Sequence, residues 1–223
     1  MGKTIKLGKI LVGERQPCFI ICEGGVTNYG QLKLAKTQVD SAVEAGCDIV
    51  KFQVCVTEKL VSRKVSKRLE KELGYNWFER MKYKEFPFDQ IEELFDYAKK
   101  SGIPVFATAH DDISLDFLDK TIQQPFFKIG SGESHNFEFL KNVGSRGKPV
   151  IISFGIQTDE EVVKAVKVLR QAGTKEIIAL HCVSMYPTPY EYANLGRIEH
   201  LKKLLNVPVG ISDHSVGWHI PLA

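Results

Sequence analysis

Polar side chains recur in this sequence at the ends of short apolar runs, where they could bind or activate a small molecule. The first is Glu23, which directly follows the apolar stretch FIIC. A buried carboxylate there needs a cation, a metal ion or a hydroxyl partner, because an unpaired ionised group is costly to remove from water. Alternatively, Glu23 accepts hydrogen bonds from loop N–H groups, and the sequence leaves both interpretations open.

A lysine lies inside the second apolar run, in VKFQ, where Phe52 separates Lys51 from Gln53. Alternation along a strand places Lys51 and Gln53 on one face and Phe52 on the other. Lysine is almost never fully buried unless it is paired. The pattern therefore predicts either a bound anion or a salt bridge at Lys51, and we favour the anion.

A second lysine, Lys128, lies in the run FKIGSGES and is followed by Ser131 between two glycines. Glycines let backbone N–H groups approach an anion closely. Glu133, just beyond, can reach a hydroxyl or the lysine. Lys128 could instead form a Schiff base with a carbonyl substrate. The choice depends on its pKa, which the sequence does not provide.

The remaining runs end in hydroxyl-bearing side chains or a histidine. Each alone indicates little, and His181 is expected to be a core histidine with its hydrogen bonds satisfied. Together, lysines, hydroxyls and glycine N–H groups suit a phosphate or carboxylate, whereas a carboxylate with an imidazole suits a divalent metal or acid–base chemistry. The pattern predicts an enzyme acting on a phosphorylated or carboxylated small molecule. The side chains concerned are Thr108, Ser153, Ser184, Tyr186, Ser212, Asp213 and His214.

Seven apolar runs alternate with segments of helical periodicity: CFIICEGG, DIVKFQV, IPVFATAH, FFKIGS, KPVIISFG, EIIALHCV and VPVGISDH. Continuously apolar runs are typical of parallel strands covered on both faces, and the alternation indicates an α/β fold. Thr158 and Glu161 form a predicted capping box at the start of one helix. Gly46 and Gly102 are predicted to end two others.

Two α/β architectures fit this alternation, an open doubly wound sheet and a TIM (β/α)8-type barrel. No G-x-G-x-x-G motif follows the first run, which removes the main support for a dinucleotide-binding sheet. The polar residues lie at the carboxyl ends of nearly every run, as in a barrel. We therefore predict a TIM-type barrel with about seven βα units present and the last unit missing. Residues 1–223 would then form a single, incomplete catalytic domain.

Two segments lie outside the repeat. TIKLGKILVG, residues 4–13, is predicted to form a small β-hairpin. Residues 56–84 form a long insertion, which we expect to cover a substrate, since long loops on a catalytic face tend to do so. The basic stretch SRKVSKRLEKELG inside it also carries glutamates, and it is predicted to be a solvated helix.

Composition narrows the partners and the compartment. The 223 residues carry a formal net charge of +3, which gives no argument for nucleic acid. No run of about 18 apolar residues predicts a membrane span, and the amino-terminal segment has no signal-peptide core. Five cysteines without a C-x-x-C pair favour a reduced, cytoplasmic compartment.

Several phrases, in order, resemble the N-acetylneuraminate (sialic acid) synthase family: EGGVTNYGQLKLAKTQVDSAVEAGCDIVKFQ, FKIGSGE, KPVIISFGI, LHCVSMYPTPYEYANL and VGISDHSVG. Members condense phosphoenolpyruvate with an N-acetylated aldose, N-acetylmannosamine or a related sugar, and release phosphate. The product is a nine-carbon 2-keto acid. The resemblance implies a (β/α)8 barrel followed by an antifreeze-like domain, which we expect to be missing from these 223 residues, and a homodimer at full length.

The resemblance also implies a role for individual residues. Glu23 and His214 would be catalytic, with His214 one of two histidine ligands of Mn²⁺ or Mg²⁺. Gln53, Glu133 and Tyr186 would face the sugar. The expected phosphoenolpyruvate ligands are Lys51, Thr108, Lys128, Ser131, Ser153, Ser184 and Ser212.

The sequence departs from the family pattern in three places. TNYG stands where NHNG is common, ATAHDD where STPF-like text is common, and Ser184 where some members have Asn. Such departures are consistent with a different sugar. Two rival functions stay open: a Schiff-base barrel aldolase that uses Lys128, and a barrel fragment that binds a ligand without catalysis.

Overall fold

The computed structural model describes residues 3–223, which group into two compact units. One unit comprises residues 19–124. The other comprises the residues up to Cys18 together with residues 125–223, and is called the 125–223 unit below. No helix within residues 3–223 is both long and apolar enough to span a bilayer.

The 19–124 unit is built on a parallel sheet of three strands in the order β3–β4–β5. Helix α1 buries an apolar face of Ala35, Val39 and Ala42. The expected left-handed glycines follow the ends of α1 and α5, at Gly46 (φ +68°) and Gly102 (φ +79°). The main elements are β3 (Ile21–Gly25), α1 (Leu32–Glu44), β4 (Ile49–Val54), α5 (Phe88–Lys100) and β5 (Val105–Ala109).

The predicted insertion is helical rather than an open loop, and it contains α2 (Thr57–Leu60), α3 (Arg63–Leu73) and α4 (Trp77–Lys84). The solvated helix predicted for its basic stretch is confirmed as α3. Asn76 caps α4 by accepting a hydrogen bond from Glu79 N at 3.2 Å. Buried Ser66 of α3 donates to Asn76 at 2.8 Å and accepts from Phe78 N at 2.8 Å. One hydroxyl thus joins the two helices.

The 19–124 unit contains a further helical segment that the sequence pattern does not predict. Helix α6 (Asp112–Asp116) follows β5 and continues into a π-helical turn, Phe117–Thr121. Asp111 caps α6 by accepting from Ser114 N at 2.9 Å, and its other oxygen accepts from Val56 N at 2.7 Å. The same carboxylate therefore fastens the start of the insertion to the segment after β5.

The 125–223 unit contains a parallel sheet of four strands in the order β6–β7–β8–β9. The expected hairpin is confirmed, since β1 and β2 pair antiparallel, and the Thr158–Glu161 capping box is present at α8. Together with the first sheet this makes seven parallel strands, as predicted. The elements are β1 (Thr4–Leu7), β2 (Ile10–Gly13), β6 (Phe127–Ile129), α7 (Phe137–Ser145), β7 (Val150–Phe154), α8 (Asp159–Ala172), β8 (Ile177–Cys182), a 3₁₀ turn (Tyr190–Tyr192), α9 (Gly196–Leu205), β9 (Val209–Ser212) and α10 (His219–Leu222).

Helices α7 and α8 pack closely at Gly144. A Cβ added there would lie 2.7 Å from Ala172 Cβ and 2.9 Å from Leu169 O. These distances are shorter than carbon contacts allow, so the approach of the two helices requires glycine at this position. The sequence pattern does not predict α7, and the glycine within it is one reason, since glycine disfavours helix interiors.

Replacing Gly144 by alanine should lower the free energy of unfolding by about 1–3 kcal/mol, because the added methyl overpacks the α7–α8 contact. Urea denaturation of both proteins measures the change. Gly196→Ala in α9 is the matched control, since nothing lies within 4 Å of a Cβ there. The control should be neutral or slightly stabilising. Equal stability of Gly144→Ala and native protein would contradict the packing.

Candidate active site

The 19–124 unit brings a carboxylate, an ammonium and a hydroxyl together across three strands. Lys51 on β4 is 2% exposed. Its Nζ lies 2.7 Å from Glu23 Oε2 on β3 and donates to Thr108 Oγ1 on β5 at 3.5 Å. The parallel register places Glu23 directly beside Lys51. Lys51 therefore has the salt bridge that was the less favoured of its two predicted partners, and Glu23 has a cation, which is one of the partners left open for it.

Gln53 lies one step further along the same face of β4. The strand β3 bulges between Glu23 and Gly25, and Gly25 has a left-handed φ of +56°. A Cβ on Gly25 would lie 3.3 Å from Glu23 Oε1 and 3.8 Å from Gln53 Nε2. The carboxylate and the amide therefore both lie beside Gly25. This unit brings together all four of its predicted site residues: Glu23, Lys51, Gln53 and Thr108.

The 125–223 unit gathers a second group around Gly155, just after β7. Gly155 N donates to Ser131 Oγ at 2.9 Å, and Ser184 Oγ lies 3.5 Å from the same oxygen. A Cβ at Gly155 would clash with Ser184 Oγ and would lie 2.9 Å from Ser131 Oγ and 3.2 Å from Cys182 Sγ. Only glycine fits among these three side chains, so the loops after β6, β7 and β8 meet here.

Cys182 is part of this group, although its apolar run predicted only a small packing residue. It lies beside Ser212 in the β8–β9 register, and its Sγ lies 3.9 Å from His214 Nδ1. Burial raises the pKa of the Cys182 thiol, while the nearby Lys128 ammonium acts in the opposite direction. The thiol is therefore a neutral neighbour of the lysine.

Lys128 and Ser153 lie on one face of the β6–β7 pair, since Lys128 pairs with Ile151, two residues before Ser153. Ser153 is 1% exposed, and its hydroxyl has no hydrogen-bond partner in the part of the chain that the structure describes. Glu133 folds back toward the strand end, where a Cβ on Gly130 would lie 3.0 Å from its Oε2. Buried hydroxyls normally have partners, so the Ser153 hydroxyl is available to a ligand.

His214, just after β9, is held by the loop that follows β8. Its Nδ1 lies 2.7 Å from Val183 O, its carbonyl accepts from Thr188 N at 2.9 Å, and its ring stacks on Tyr186 with centroids 4.0 Å apart. A carbonyl can only accept, so Nδ1 carries a proton, and in the neutral ring Nε2 then keeps its lone pair. Asp213 is not the partner of His214, because its oxygens accept from Ser215 N and Oγ at 3.0 and 2.9 Å.

His181 is buried, as predicted for a core histidine, but only one of its nitrogens is satisfied. Its Nε2 lies 2.7 Å from Ala193 O, and within the described residues Nδ1 has no partner. The carbonyl again fixes the proton, here on Nε2. The two histidines at this end of the unit therefore hold opposite tautomers.

The fit to a divalent metal is partial. His214 Nε2 offers one imidazole donor of the type that Mn²⁺ and Zn²⁺ accept. Across residues 3–223, however, no group of three His, Cys, Asp or Glu side chains is arranged to hold an ion. These residues therefore supply one ligand rather than a complete metal centre.

One residue of the second group carries no signal in the sequence pattern. Gln157, between β7 and α8, is 8% exposed and hydrogen-bonds both Ser131 and the backbone at Gly155. Neither periodicity nor a motif marks it. The only local hint is that it precedes the capping box at Thr158.

A family model and the sequences of known relatives identify the same family for this chain. The NeuB family model matches residues 38–223. An uncharacterized protein of Methanocaldococcus jannaschii is 40% identical over 99% of this chain and 62% of its own length. The N-acetylneuraminate-9-phosphate synthase of Homo sapiens is 34% identical over 95% of the chain and 60% of its own length. The chain thus spans about 60% of these relatives.

Solved structures agree. The N-acetylneuraminic acid synthetase of Leptospira borgpetersenii, in complex with citrate, superposes with a TM-score of 0.86 at 34% identity, over 100% of this chain and 74% of that one. A phospho-2-dehydro-3-deoxyheptonate aldolase of Thermotoga maritima reaches a TM-score of 0.66 at 18% identity, over 96% of this chain and 56% of that one, and shows the fold alone. The predicted α/β, TIM-barrel-type fold class is confirmed.

The Glu23–Lys51 pair can be tested through stability. Glu23→Gln should lower the free energy of unfolding at neutral pH by about 1–3 kcal/mol, because it leaves the buried ammonium without its carboxylate. Glu93→Gln is the control, since the Lys36–Glu93 pair has a similar 2.6 Å distance and a similarly exposed carboxylate (58% against 49% for Glu23), but a Lys36 side chain that is 28% exposed against 3% for Lys51. That change should cost at most about 1 kcal/mol. Equal losses in both variants would contradict the buried pairing.

The histidine tautomers can be read by NMR. In protein labelled with ¹⁵N at histidine, at a pH where both rings are neutral, His214 should show a protonated Nδ1 and an unprotonated Nε2. His181 should show the reverse, because its carbonyl partner faces Nε2. Two-bond nitrogen–proton correlation spectra separate the tautomers. The same tautomer for both rings would rule out one of the two carbonyl contacts.

Proposed function

The chain belongs to the NeuB family, and on that basis we propose that it carries the catalytic barrel of an enzyme condensing phosphoenolpyruvate with an N-acetylated aldose. The products are a nine-carbon 2-keto acid of the sialic acid type and phosphate. N-acetylmannosamine, its 6-phosphate and diacetylated amino sugars are the candidate acceptors. The relatives' names include N-acetylneuraminate-9-phosphate, N,N'-diacetyllegionaminic acid and pseudaminic acid synthases, so family membership does not choose among the acceptors.

The observation that carries the proposal is the group around Gly155. It combines the Lys128 ammonium with hydroxyl groups at neighbouring strand ends, and these are the donors that a phosphate or carboxylate needs. Within residues 3–223 Lys128 has no ion-pair partner, in contrast to Lys51. Its charge is therefore free to attract an anion. The proposed phosphoenolpyruvate ligands in this unit are Lys128, Ser131, Ser153, Ser184 and Ser212.

The other predicted residues keep their roles as proposals. Lys51 and Thr108 are further ligands of phosphoenolpyruvate, with Glu23 holding the Lys51 ammonium in place. The sugar is assigned to Gln53, Glu133 and Tyr186. Exposed Tyr186 is suited to this, because its ring is fixed by stacking on His214 and still presents most of its surface to solvent.

The proposed reaction depends on positioning and charge rather than on a protein nucleophile. C3 of phosphoenolpyruvate bonds to the aldehyde carbon of the open-chain sugar as the C2=C3 and carbonyl π bonds open; the aldehyde oxygen takes up a proton to become a hydroxyl, and water adds to C2. The resulting tetrahedral centre loses phosphate and becomes the 2-keto group. Glu23 is proposed to accept a proton from the attacking water, and Lys128 with the serine hydroxyls stabilises the departing phosphate.

A divalent ion, Mn²⁺ or Mg²⁺, would supply Lewis-acid polarisation of the aldehyde when bound. His214 is the proposed ligand, because Val183 O binds its Nδ1 and the lone pair of Nε2 remains for a metal ion. Tyr186 and Thr188 fix the ring and the backbone of this residue. The chain's own contribution at this point is thus an oriented imidazole.

The remaining proposals concern assembly and location. The relatives imply small-molecule substrates rather than nucleic acid or membrane partners. A homodimer at full length and a cytoplasmic location follow from the family resemblance and from cysteines that are free thiols among the described residues.

The function is tested by phosphate release from phosphoenolpyruvate with Mn²⁺ and each candidate sugar. Lys128→Met should reduce turnover by about a hundredfold, since it removes a charge that stabilises developing negative charge. Lys167→Met, an exposed position on α8, is the control and should retain native activity.

Two outcomes would contradict the proposal. Absence of sugar-dependent phosphate release from the native protein would favour a barrel that only binds a ligand. A covalent adduct on Lys128, found by mass analysis after borohydride treatment with pyruvate, would favour the Schiff-base aldolase instead.

A further inference from the structure

Gln157 connects two of the loops that carry the proposed anion ligands. Its Oε1 accepts from Gly155 N at 3.0 Å and from Ile156 N at 3.2 Å, and its Nε2 donates to Ser131 O at 2.9 Å. The amide is buried, with 8% of the residue exposed. Both ends of the side chain are therefore used, and together they join the segment after β6 to the segment after β7.

The hydroxyl of Ser131 is set by the same amide. Ser131 Oγ donates to Gln157 Oε1 at 3.3 Å and accepts from Gly155 N at 2.9 Å. A hydroxyl has one proton, so Gln157 decides where that proton points in the absence of a ligand. The 3.3 Å bond is long, and a substrate oxygen can therefore take over the proton at little cost. Gln157 Oε1 would still keep its two backbone donors.

The main chain of Gln157 is also anchored. Arg197 on α9 donates to Gln157 O at 3.2 Å and pairs with Asp159 at 3.3 Å. The residue is thus held from the backbone while its side chain holds Ser131. Burying an amide is costly unless its bonds are made, and here they are made to the loops that present the proposed substrate ligands.

We propose that Gln157 is a positioning residue for phosphoenolpyruvate. Its amide holds the Ser131 hydroxyl and the loop backbone at Gly155 and Ile156 in one arrangement. The Ser131 hydroxyl is therefore already in position when the substrate anion binds. This inference rests on the proposed function. It assigns to Gln157 an effect on substrate affinity, without direct contact with the substrate.

The test is calorimetric titration of the native protein and its variants with phosphoenolpyruvate. Gln157→Met keeps the length of the side chain but makes none of the amide bonds, and it should raise the Kd about tenfold, the equivalent of one well-made hydrogen bond. Gln171→Met is the matched control, because Gln171 lies exposed on α8 of the same unit. It should bind as the native protein does.

Gln157→Glu tests the positioning role through the pH dependence of phosphoenolpyruvate affinity, which a purely structural role would not change. Its carboxylate keeps the acceptor oxygen, loses the donor to Ser131 O and adds negative charge beside the anion, so binding should weaken more than in Gln157→Met. Protonation of the glutamate restores a donor and removes the charge. The ratio of its Kd to the native Kd should therefore fall as the pH is lowered through the pKa of the introduced carboxyl, which carbon-13 NMR of the labelled variant locates.

The outcomes separate the two proposals. If the native protein does not bind phosphoenolpyruvate, the proposed function fails and Gln157 loses its role with it. If the native protein binds and Gln157→Met lies within twofold of it, only the positioning role is overturned. The positioning role is also overturned if the ratio of the Gln157→Glu Kd to the native Kd does not change with pH. An equal loss of phosphoenolpyruvate affinity in the Gln171→Met control would overturn it as well.

Discussion

Burial of parallel strands on both faces is the constraint on which this structure depends. In β4 five of six residues are buried, and in β7 all five are. A polar side chain within such a strand must find its partner on a neighbouring strand, whereas at the carboxyl end loops can provide hydroxyls, carbonyls and N–H groups. Lys51 follows the first rule through Glu23, and His214 follows the second through Val183 O.

The same constraint explains how much of the fold is visible in the sequence. Continuous apolar runs predict the seven parallel strands, and local cap chemistry predicts the start of α8, because both signals are written in adjacent residues. Helix α7 is hidden because Gly144 lowers its intrinsic propensity, and it forms because that glycine permits close packing on α8. Tertiary packing, which local sequence does not show, decides in that case.

The residues of the candidate site can be predicted from the sequence, but their hydrogen-bond and ion-pair partners cannot. Position inside an apolar run is enough to mark Lys51 and Lys128, and position at the end of a run is enough to mark Ser131 and His214. Their partners depend on which residues the strand register and the loops bring together. Asp213, next to His214 in sequence, bonds Ser215 instead. Gln157 escapes sequence reasoning because its importance lies wholly in contacts with Ser131 and Gly155, which are distant or unmarked in the sequence.

Charge distinguishes the two lysines that the sequence presents alike. In the 19–124 unit the ammonium of Lys51 is matched by the carboxylate of Glu23, so the pair is close to neutral. In the 125–223 unit the thiol beside Lys128 stays protonated, because burial raises the pKa of Cys182. A thiolate there would neutralise the lysine and compete with an incoming anion. The neutral thiol leaves the Lys128 ammonium without an ion-pair partner among residues 3–223, and that imbalance supports the proposal of an anionic substrate at Lys128.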